Sequence, residues 1–457
     1  MTVPAPEKLP PRSRRILLLV TLTLLLDLIS FSIIFPLFPA MLEYYRGHDG
    51  GAGMFSGLTA LLDALADVAG SPAHAAGVTV LFGGLLGSGY SLLQFLCAPF
   101  FGAMSDRYGR RPVLLVCLSG ILISYAMWFF ASSFAFFIVS RMLGGIMAAN
   151  VTTTTAIVSD ITTPRTRSKG MALIGIAFGI GFTVGPAFGG ISSLFDATAI
   201  FPALVPYGIT PWSIAAGISF LLTLLNLLQV ALFLPETRPD GVGAQHAHHT
   251  LSPRALFKTE EYPGVTRTNF SYFIFLLAFS GIEFTLTFFA AERFGYTPAQ
   301  NARLFLVVGL VLVLMQGGYV QRFAARVGLR RMALHGIYVT VPGLVCIGLS
   351  GQVQSAGLLF LGVALIAAGT AQTTPCLTSL ASLYTPADEQ GRVMGVFRSL
   401  GALARATGPI LACAVYWRLG SAAAYFLGAA MMLAPVLLVR TLPPTPEKEE
   451  TPAKAGA

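Results

Sequence analysis

The sequence predicts an all-α membrane protein of twelve transmembrane helices, arranged as two pseudo-symmetric six-helix bundles. Three observations predict it. Of 457 residues, 55% are hydrophobic and 11% are charged, whereas an ordinary soluble domain carries about 25% charged residues. Twelve apolar runs are long enough to cross the hydrocarbon layer, which takes about 20 residues of helix. Segments of the first half also recur in the second half at a nearly constant offset.

The first six runs lie at about 16–39, 77–103, 112–132, 135–158, 170–192 and 212–234, and the second six at about 270–290, 300–321, 332–350, 355–383, 393–416 and 421–440. The run Ile16 to Pro39 is too long for a signal-peptide core and no small-residue cleavage pattern follows it, so it is expected to stay in the membrane as helix 1. The 48 glycines and 34 phenylalanines suit close helix approach and a lipid-facing surface.

Placing both termini in the cytosol puts 22 of the 29 Lys and Arg residues on cytosolic segments. Only Arg46, Arg293, Arg303 and Arg418 then lie on the far side, with Arg141, Arg398 and Arg405 inside helices. This asymmetry predicts the orientation, and the net charge of +9 reads as topology rather than as a nucleic-acid surface. The first external loop, Ala40 to Ala76, is long and acidic (Glu43, Asp49, Asp63, Asp67) and has room for a short helix.

A polar stretch, Pro235 to Thr268, cannot span lipid and sets the division: a first bundle over 1–235, a cytosolic linker over 236–268, a second bundle over 269–441 and a cytosolic tail over 442–457. The linker's "HAHH" (His246, His248, His249) reads as solvated chain. The five cysteines (Cys97, Cys117, Cys346, Cys376, Cys413) sit in apolar runs without paired spacing and read as free thiols. No metal site and no cofactor are expected. "GGLLGSG" (Gly83 to Gly89) lacks a preceding strand and a following Lys-Ser or Lys-Thr, so it is not a nucleotide loop. The sequons at Asn150 and Asn269 fall inside helix 4 and on the cytosolic side, where neither is expected to be glycosylated.

The repeat is carried by "GAMSDRYGRRP", beginning at Gly102, and a degraded "GYVQRFAARVGLRR", beginning at Gly318. The Gly-Pro pairs of "TVGPAFGG" and "ATGPILA" begin at Gly185 and Gly408, at nearly the same offset. Parallel half-molecules with a path between them follow from such a repeat.

These motifs resemble those of the major facilitator superfamily. The loop 2–3 signature is matched by Gly102, Asp106, Arg107, Gly109, Arg110 and Arg111, the helix 4 signature by Arg141 and Gly145, and the helix 5 antiporter signature by Gly181, Gly185, Pro186, Gly189 and Gly190; "LPETR" follows helix 6. Within the superfamily, "LFGGLLGSGYSLLQFLCAPFFGAMSDRYGRRPV" and "FRSLGALARATGP" resemble the animal tetracycline transporter-like branch, related to bacterial tetracycline/proton antiporters. The resemblance implies the twelve-helix rocker fold and organic-ion or drug-like substrates. It also suggests the plasma or inner nuclear membrane, with an endolysosomal membrane left open. The second-half loop signature departs from the pattern, with Arg322 where an acid is expected.

Asp106 falls at the cytosolic end of helix 2, where the positive N-terminus of helix 11 is expected, and the reading is a latch between the halves. Gly181, Gly185 and Gly189 at four-residue spacing give helix 5 a smooth packing face, with Pro186 bending it. Five ionisable groups fall inside membrane runs: Asp27, Glu283, Arg141, Arg398 and Arg405. Each costs at least roughly 2.5 kcal/mol there and marks a pathway or a pair.

Counted along the helix axes from the residue numbers, Asp27 and Arg141 fall at similar depth, as do Glu283 and Arg405. Two buried pairs are expected, Asp27 with Arg141 and Glu283 with Arg405. Burial disfavours a charged carboxyl and a nearby arginine favours it, so such a carboxyl is poised to take up and release a proton. A permanent packing salt bridge is the competing reading. Arg405 or Arg398, facing a cavity, would attract a carboxylate or sulfonate. Gln94, Asn150, Gln316 and Gln372 are candidate polar lining, with Phe31, Tyr90, Phe284 and Trp417 as apolar contacts.

The expected function is proton-coupled exchange of a small organic ion, leaning to anions, by a monomer whose other partners are the lipid bilayer and protons. A uniporter, an amine exporter and a non-transporting receptor are the alternatives. No nucleophile-base pair or ligand cluster points to an enzyme.

Overall fold

The computed structural model describes residues 10–48, 56–57, 60, 75–162, 167–238, 263–385 and 390–444. The first six membrane helices are α1 (Pro11–His48), α2 (Ala75–Tyr108), α3 (Arg110–Phe129), α4 (Phe134–Asp160), α5 (Arg167–Ser192) and α6 (Ser213–Phe233). The second six are α7 (Pro263–Phe294), α8 (Pro298–Leu314, continued by a π-helix Met315–Val320 and a last segment Gln321–Val327), α9 (Leu329–Ser350), α10 (Ala356–Leu383), α11 (Gln390–Leu419) and α12 (Ser421–Arg440). Among the described residues, eleven helices are long and apolar enough to cross a membrane, and α5 adds the shorter apolar stretch Ile176–Ser192. The start of α1 and the end of α12 share one side of the bundle, called the terminal side below.

Two ranges differ from the sequence expectation. Helix α1 does not stop at Pro39: a 3-10 turn at Phe35–Leu37 absorbs Pro36, and the helix resumes over Phe38–His48. Met41, Leu42 and Tyr45 are buried, and the Tyr45 hydroxyl donates to the Ala131 carbonyl at 2.6 Å, so packing holds these turns in place. Glu43 is therefore helical, 3.8 Å from Arg46, while Asp49, Asp63 and Asp67 lie outside the described residues. Helix α7 starts at Pro263, inside the stretch expected to be linker. His246, His248 and His249 also lie outside the described residues.

Helix starts follow ordinary capping chemistry. Thr297 and Gln300 form a reciprocal capping box ahead of Pro298 on α8, and Ser133 accepts from the Phe136 N–H at 3.3 Å on α4.

Glycines then set which helices touch. A Cβ on Gly185 would meet Ser32 Oγ at 2.0 Å and the Ile29 carbonyl at 2.6 Å, and one on Gly189 would meet the Ile33 carbonyl at 2.1 Å. Helix α5 thus lies directly on α1, tied by Ser32 Oγ donating to the Gly181 carbonyl at 3.0 Å. The second half repeats the device. Gly408 allows α11 onto α7, where its Cβ would meet Ser280 Oγ at 2.2 Å, and Ser280 Oγ donates to the Ala404 carbonyl at 3.1 Å.

The halves meet through α2 with α11 and α5 with α8. Gly84 lies against Cys413 and Pro409, Gly83 against Phe288, Gly190 against Ala302, and Gly309 against Thr183. Phe38 meets Phe284 at 5.4 Å and Phe35 meets Phe305 at 6.2 Å between ring centroids. All of these contacts lie between the middle of the bundle and the side opposite the termini. Toward the terminal side, a Cβ on Gly102 would meet only Thr152 of its own half, and one on Gly395 would meet nothing within 4 Å. The bundle is closed on the opposite side and open on the terminal side.

Candidate functional site

The open side leads to the buried charges. Asp27 on α1 is 8% exposed, and the polar side chain facing it is Asn150 on α4, itself 1% exposed. Asn150 Oδ1 accepts from the Val151 N–H at 2.8 Å. Arg141, also buried, carries a different partner set from the one expected. Its guanidinium lies 4.9 Å from the Tyr90 ring centroid and 6.0 Å from that of Trp128.

No ion pair joins Asp27 to Arg141 within 4.0 Å among the described residues. The expected pair is corrected to a cluster: both charges act on Tyr90 and Tyr125, and aromatic faces rather than a carboxylate compensate the cation. Desolvated cation–π contacts are worth about 2 kcal/mol, which offsets part of the burial of Arg141.

In the second half, Glu283 on α7 is half-buried and Arg405 on α11 is its electrostatic partner, yet no ion pair forms within 4.0 Å. Here too the expected contact pair is corrected. The reason is the face each residue occupies. Phe397, Gly401, Ala404 and Gly408 contact α7, Phe397 stacking on Tyr272 at 4.0 Å, whereas Arg398, Arg405 and Pro409 follow each other on the adjacent stripe. Pro409 on that stripe meets Gly84 of α2. Arg398 and Arg405 are both exposed on this stripe, with Tyr272 and Glu283 of α7 as their electrostatic neighbours.

The polar lining expected from sequence divides. Gln94 Nε2 donates to the Ala148 carbonyl at 2.9 Å, joining α2 to α4. Gln372 is 3% exposed and donates to the Ala368 carbonyl of its own helix at 3.0 Å. Each amide nitrogen is thus bonded to helix backbone. Gln316 falls in the π-helix. Phe31 and Tyr90 stack at 5.0 Å and continue into Phe35, Phe182 and Phe178, an aromatic wall on the first half. Phe284 is buried in the contact between the halves, and Trp417 is partly buried with its indole N–H unpartnered.

The loop signature forms a closed network. Gly109 turns the chain at φ 105° and caps α3. Arg110 then reaches back to Asp106, to Ser105 Oγ at 2.8 Å and across to Asp160 at 2.8 Å. Glu236, from "LPETR", accepts from the backbone N–H groups of Arg110 at 2.8 Å and Arg111 at 3.2 Å. Arg111 donates to the Ala231 carbonyl at the end of α6, and Arg238 to the Arg107 carbonyl.

Among the described residues, the expected latch from Asp106 to helix 11 is not made. Asp106 pairs within its own half because Arg110, four residues on, is folded back beside it by the Gly109 turn. Asp160 and Glu236 were missed as site residues; an acid closing helix 4 and another opening the segment after helix 6 were the available signals. No group of three potential metal ligands occurs among the described residues.

The Major Facilitator Superfamily model matches residues 20–409 and 319–457. The chain belongs to the major facilitator superfamily. It is 38% identical to human major facilitator superfamily domain-containing protein 10, over 94% of each chain. It is 25% identical to the class C tetracycline resistance protein of Escherichia coli, over 92% of this chain and 96% of that one. The crystal structure of the human organic anion transporter MFSD10 (TETRAN) superposes with a TM-score of 0.73 at 36% identity, covering 94% of this chain and all of that one. The D-xylose-proton symporter, at 16% identity and TM-score 0.71, shows the shared fold. The chain is a multi-pass membrane transporter of this superfamily, not an enzyme.

Proposed function

We propose that this transporter exchanges protons for small organic anions by alternating access, with the terminal side cytosolic and the monomer as the working unit. The observation that carries the reading is the stripe of Arg398 and Arg405, exposed on α11 in line with Pro409, which meets Gly84 of α2. Guanidinium groups presented there attract carboxylate or sulfonate and supply planar hydrogen-bond forks. The facing wall of Phe31, Phe35 and Tyr90 suits an apolar body carrying that anion.

Coupling falls to Asp27 and Glu283. Each is a membrane carboxyl without a cation within 4.0 Å among the described residues, and removal from water disfavours the charged form of any carboxyl. Opening toward one side or the other changes that hydration, so uptake and release of a proton follow the conformational cycle.

Uptake of labelled organic anions and cations into proteoliposomes, with and without an imposed pH gradient, tests the assignment. Gradient-driven anion accumulation is expected, falling at least tenfold in Arg405→Gln and losing its gradient dependence in Asp27→Asn or Glu283→Gln. Accumulation of cations alone would reverse the substrate assignment, and pH-driven uptake intact in both carboxyl variants would end the coupling role.

A further inference from the structure

Among the described residues, the terminal end of the second half is cationic with no carboxylate beside it. Between Gly295 and Pro444 the only acids are Asp388 and Glu389, which lie outside the described residues. Six described arginines gather at that end: Arg267, Arg322, Arg326, Arg330, Arg331 and Arg440. Three have protein partners: Arg330 donates to the Val439 and Arg440 carbonyls, Arg267 to the Thr441 carbonyl, and Arg440 lies 5.6 Å from the Tyr338 ring centroid. Arg322, Arg326 and Arg331 are exposed and have no carboxylate within 4.0 Å among the described residues.

An apolar track leads away from them along α8. Leu306, Leu310, Val313 and Leu314 are exposed on one face. The other face is held in the bundle, where Asn301 donates to the Thr287 carbonyl at 3.3 Å, Leu304 is fully buried and Phe305 stacks on Phe35. The track therefore faces lipid. Between Leu314 and Arg322 it is notched by Gly317 and Gly318, beside which there is nothing within 4 Å of a built Cβ. Tyr319 and Phe323 pair at 5.2 Å next to the arginines, as aromatic residues do at a membrane interface.

We propose that this surface is a binding site for an anionic phospholipid of the terminal-side leaflet, with the phosphate at Arg322, Arg326 and Arg331 and an acyl chain along the notched face of α8. Head-group charge selects the lipid, and at the matching position of the first half Arg110 is paired with Asp106 and Asp160. An arginine near an anionic headgroup contributes about fivefold in association, reduced by salt; the three share one singly charged phosphate, so about fivefold is expected of the site as a whole.

The test is lipid selectivity of the full chain in phosphatidylcholine bilayers doped with spin-labelled phosphatidylglycerol or phosphatidylcholine, read from the motionally restricted fraction. The wild type is expected to prefer phosphatidylglycerol by about fivefold, and the triple variant Arg322→Gln/Arg326→Gln/Arg331→Gln to fall to near unity. The matching lysine triple is expected to retain the preference, and so is Arg12→Gln/Arg14→Gln/Arg15→Gln, which removes the same charge at the start of α1. No preference in the wild type, an unchanged preference in the glutamine triple, or equal loss in the α1 triple would each overturn the site. Displacement of the labelled lipid by millimolar inorganic phosphate would also overturn it, by making the arginines a general anion patch.

Discussion

At the terminal end the two halves solve one problem with different chemistry. Each must turn from its second helix into its third at a left-handed glycine, Gly109 at φ 105° and Gly328 at φ 86°. Each then anchors the end of its sixth helix by an arginine to carbonyl bond, Arg111 to Ala231 and Arg330 to Val439. The first half adds carboxylates at every step: Asp106 and Asp160 on Arg110, and Glu236 on the start of α3. The second half has none of them among its described residues. One half is a closed charge network and the other a cationic surface, although both descend from one repeated pattern. The geometry of a helix turn is kept because sterics demand it, while the charges filling it are free to diverge.

The second helices differ in the same spirit. Helix α2 carries Pro99 inside a continuous helix, and α8 is interrupted at the equivalent position of the repeat by a π-helix beginning at Met315. Either device releases regular backbone bonding at one level of the membrane.

The buried carboxyls are also displaced. Measured from Ser32 and Ser280, which pack on the equivalent glycines Gly185 and Gly408, Asp27 lies toward the terminal side and Glu283 toward the opposite side. The helical rise converts their separation into a depth difference of about 12 Å.

The comparison breaks most sharply where the halves agree. Gly185→Val and Gly408→Val should each cost about 3 kcal/mol, because the new atoms meet backbone that cannot yield; thermal unfolding of the detergent-solubilised protein should show comparable losses. A much smaller loss at Gly408 would mean that α7 and α11 are not held as α1 and α5 are.

The turn glycines separate the halves next. Both substitutions to alanine strain a left-handed backbone by about 1–2 kcal/mol, but at Gly109 the Cβ would also meet Glu236 Oε2 at 2.5 Å, whereas nothing lies within 4 Å at Gly328. Gly109→Ala should therefore lower the melting temperature more than Gly328→Ala, by the additional loss of a cap worth about 1 kcal/mol. Equal shifts would remove Glu236 from the account.

The smallest effect is a pH dependence. Burial opposes ionisation of Glu236, but the backbone N–H groups of Arg238, Arg110, Thr237 and Arg111 together outweigh it and hold the carboxyl below its ordinary 4.5. A folded value below the unfolded one stabilises fully above the unfolded pKa and is lost as pH falls through the lowered folded value. The melting-temperature gap between wild type and Glu236→Gln should be constant near neutrality and shrink below a pH of about 4. A gap independent of pH would assign it to shape rather than charge.

The sequence by itself determined the membrane class, the twelve spans, the repeat and the family, since these rest on quantities local to the chain: apolar length, turn residues and motif spacing. It also picked out Asp27, Arg141, Glu283, Arg398 and Arg405, because charge in an apolar run is conspicuous wherever it occurs. Partners were beyond it. Axial depth can be counted from residue number, and it placed Asp27 beside Arg141 and Glu283 beside Arg405; which face of a helix meets which neighbour depends on crossing geometry. Tertiary structure alone decided that Tyr90 and Trp128 cover Arg141, that Gln94 and Gln372 donate to helix backbone, that Asp106 pairs with Arg110, and that Arg398 and Arg405 are exposed. A rotation of about 100° between adjacent residues on a helix separates a side chain that packs from one that meets the cavity, and only the assembled bundle fixes that angle.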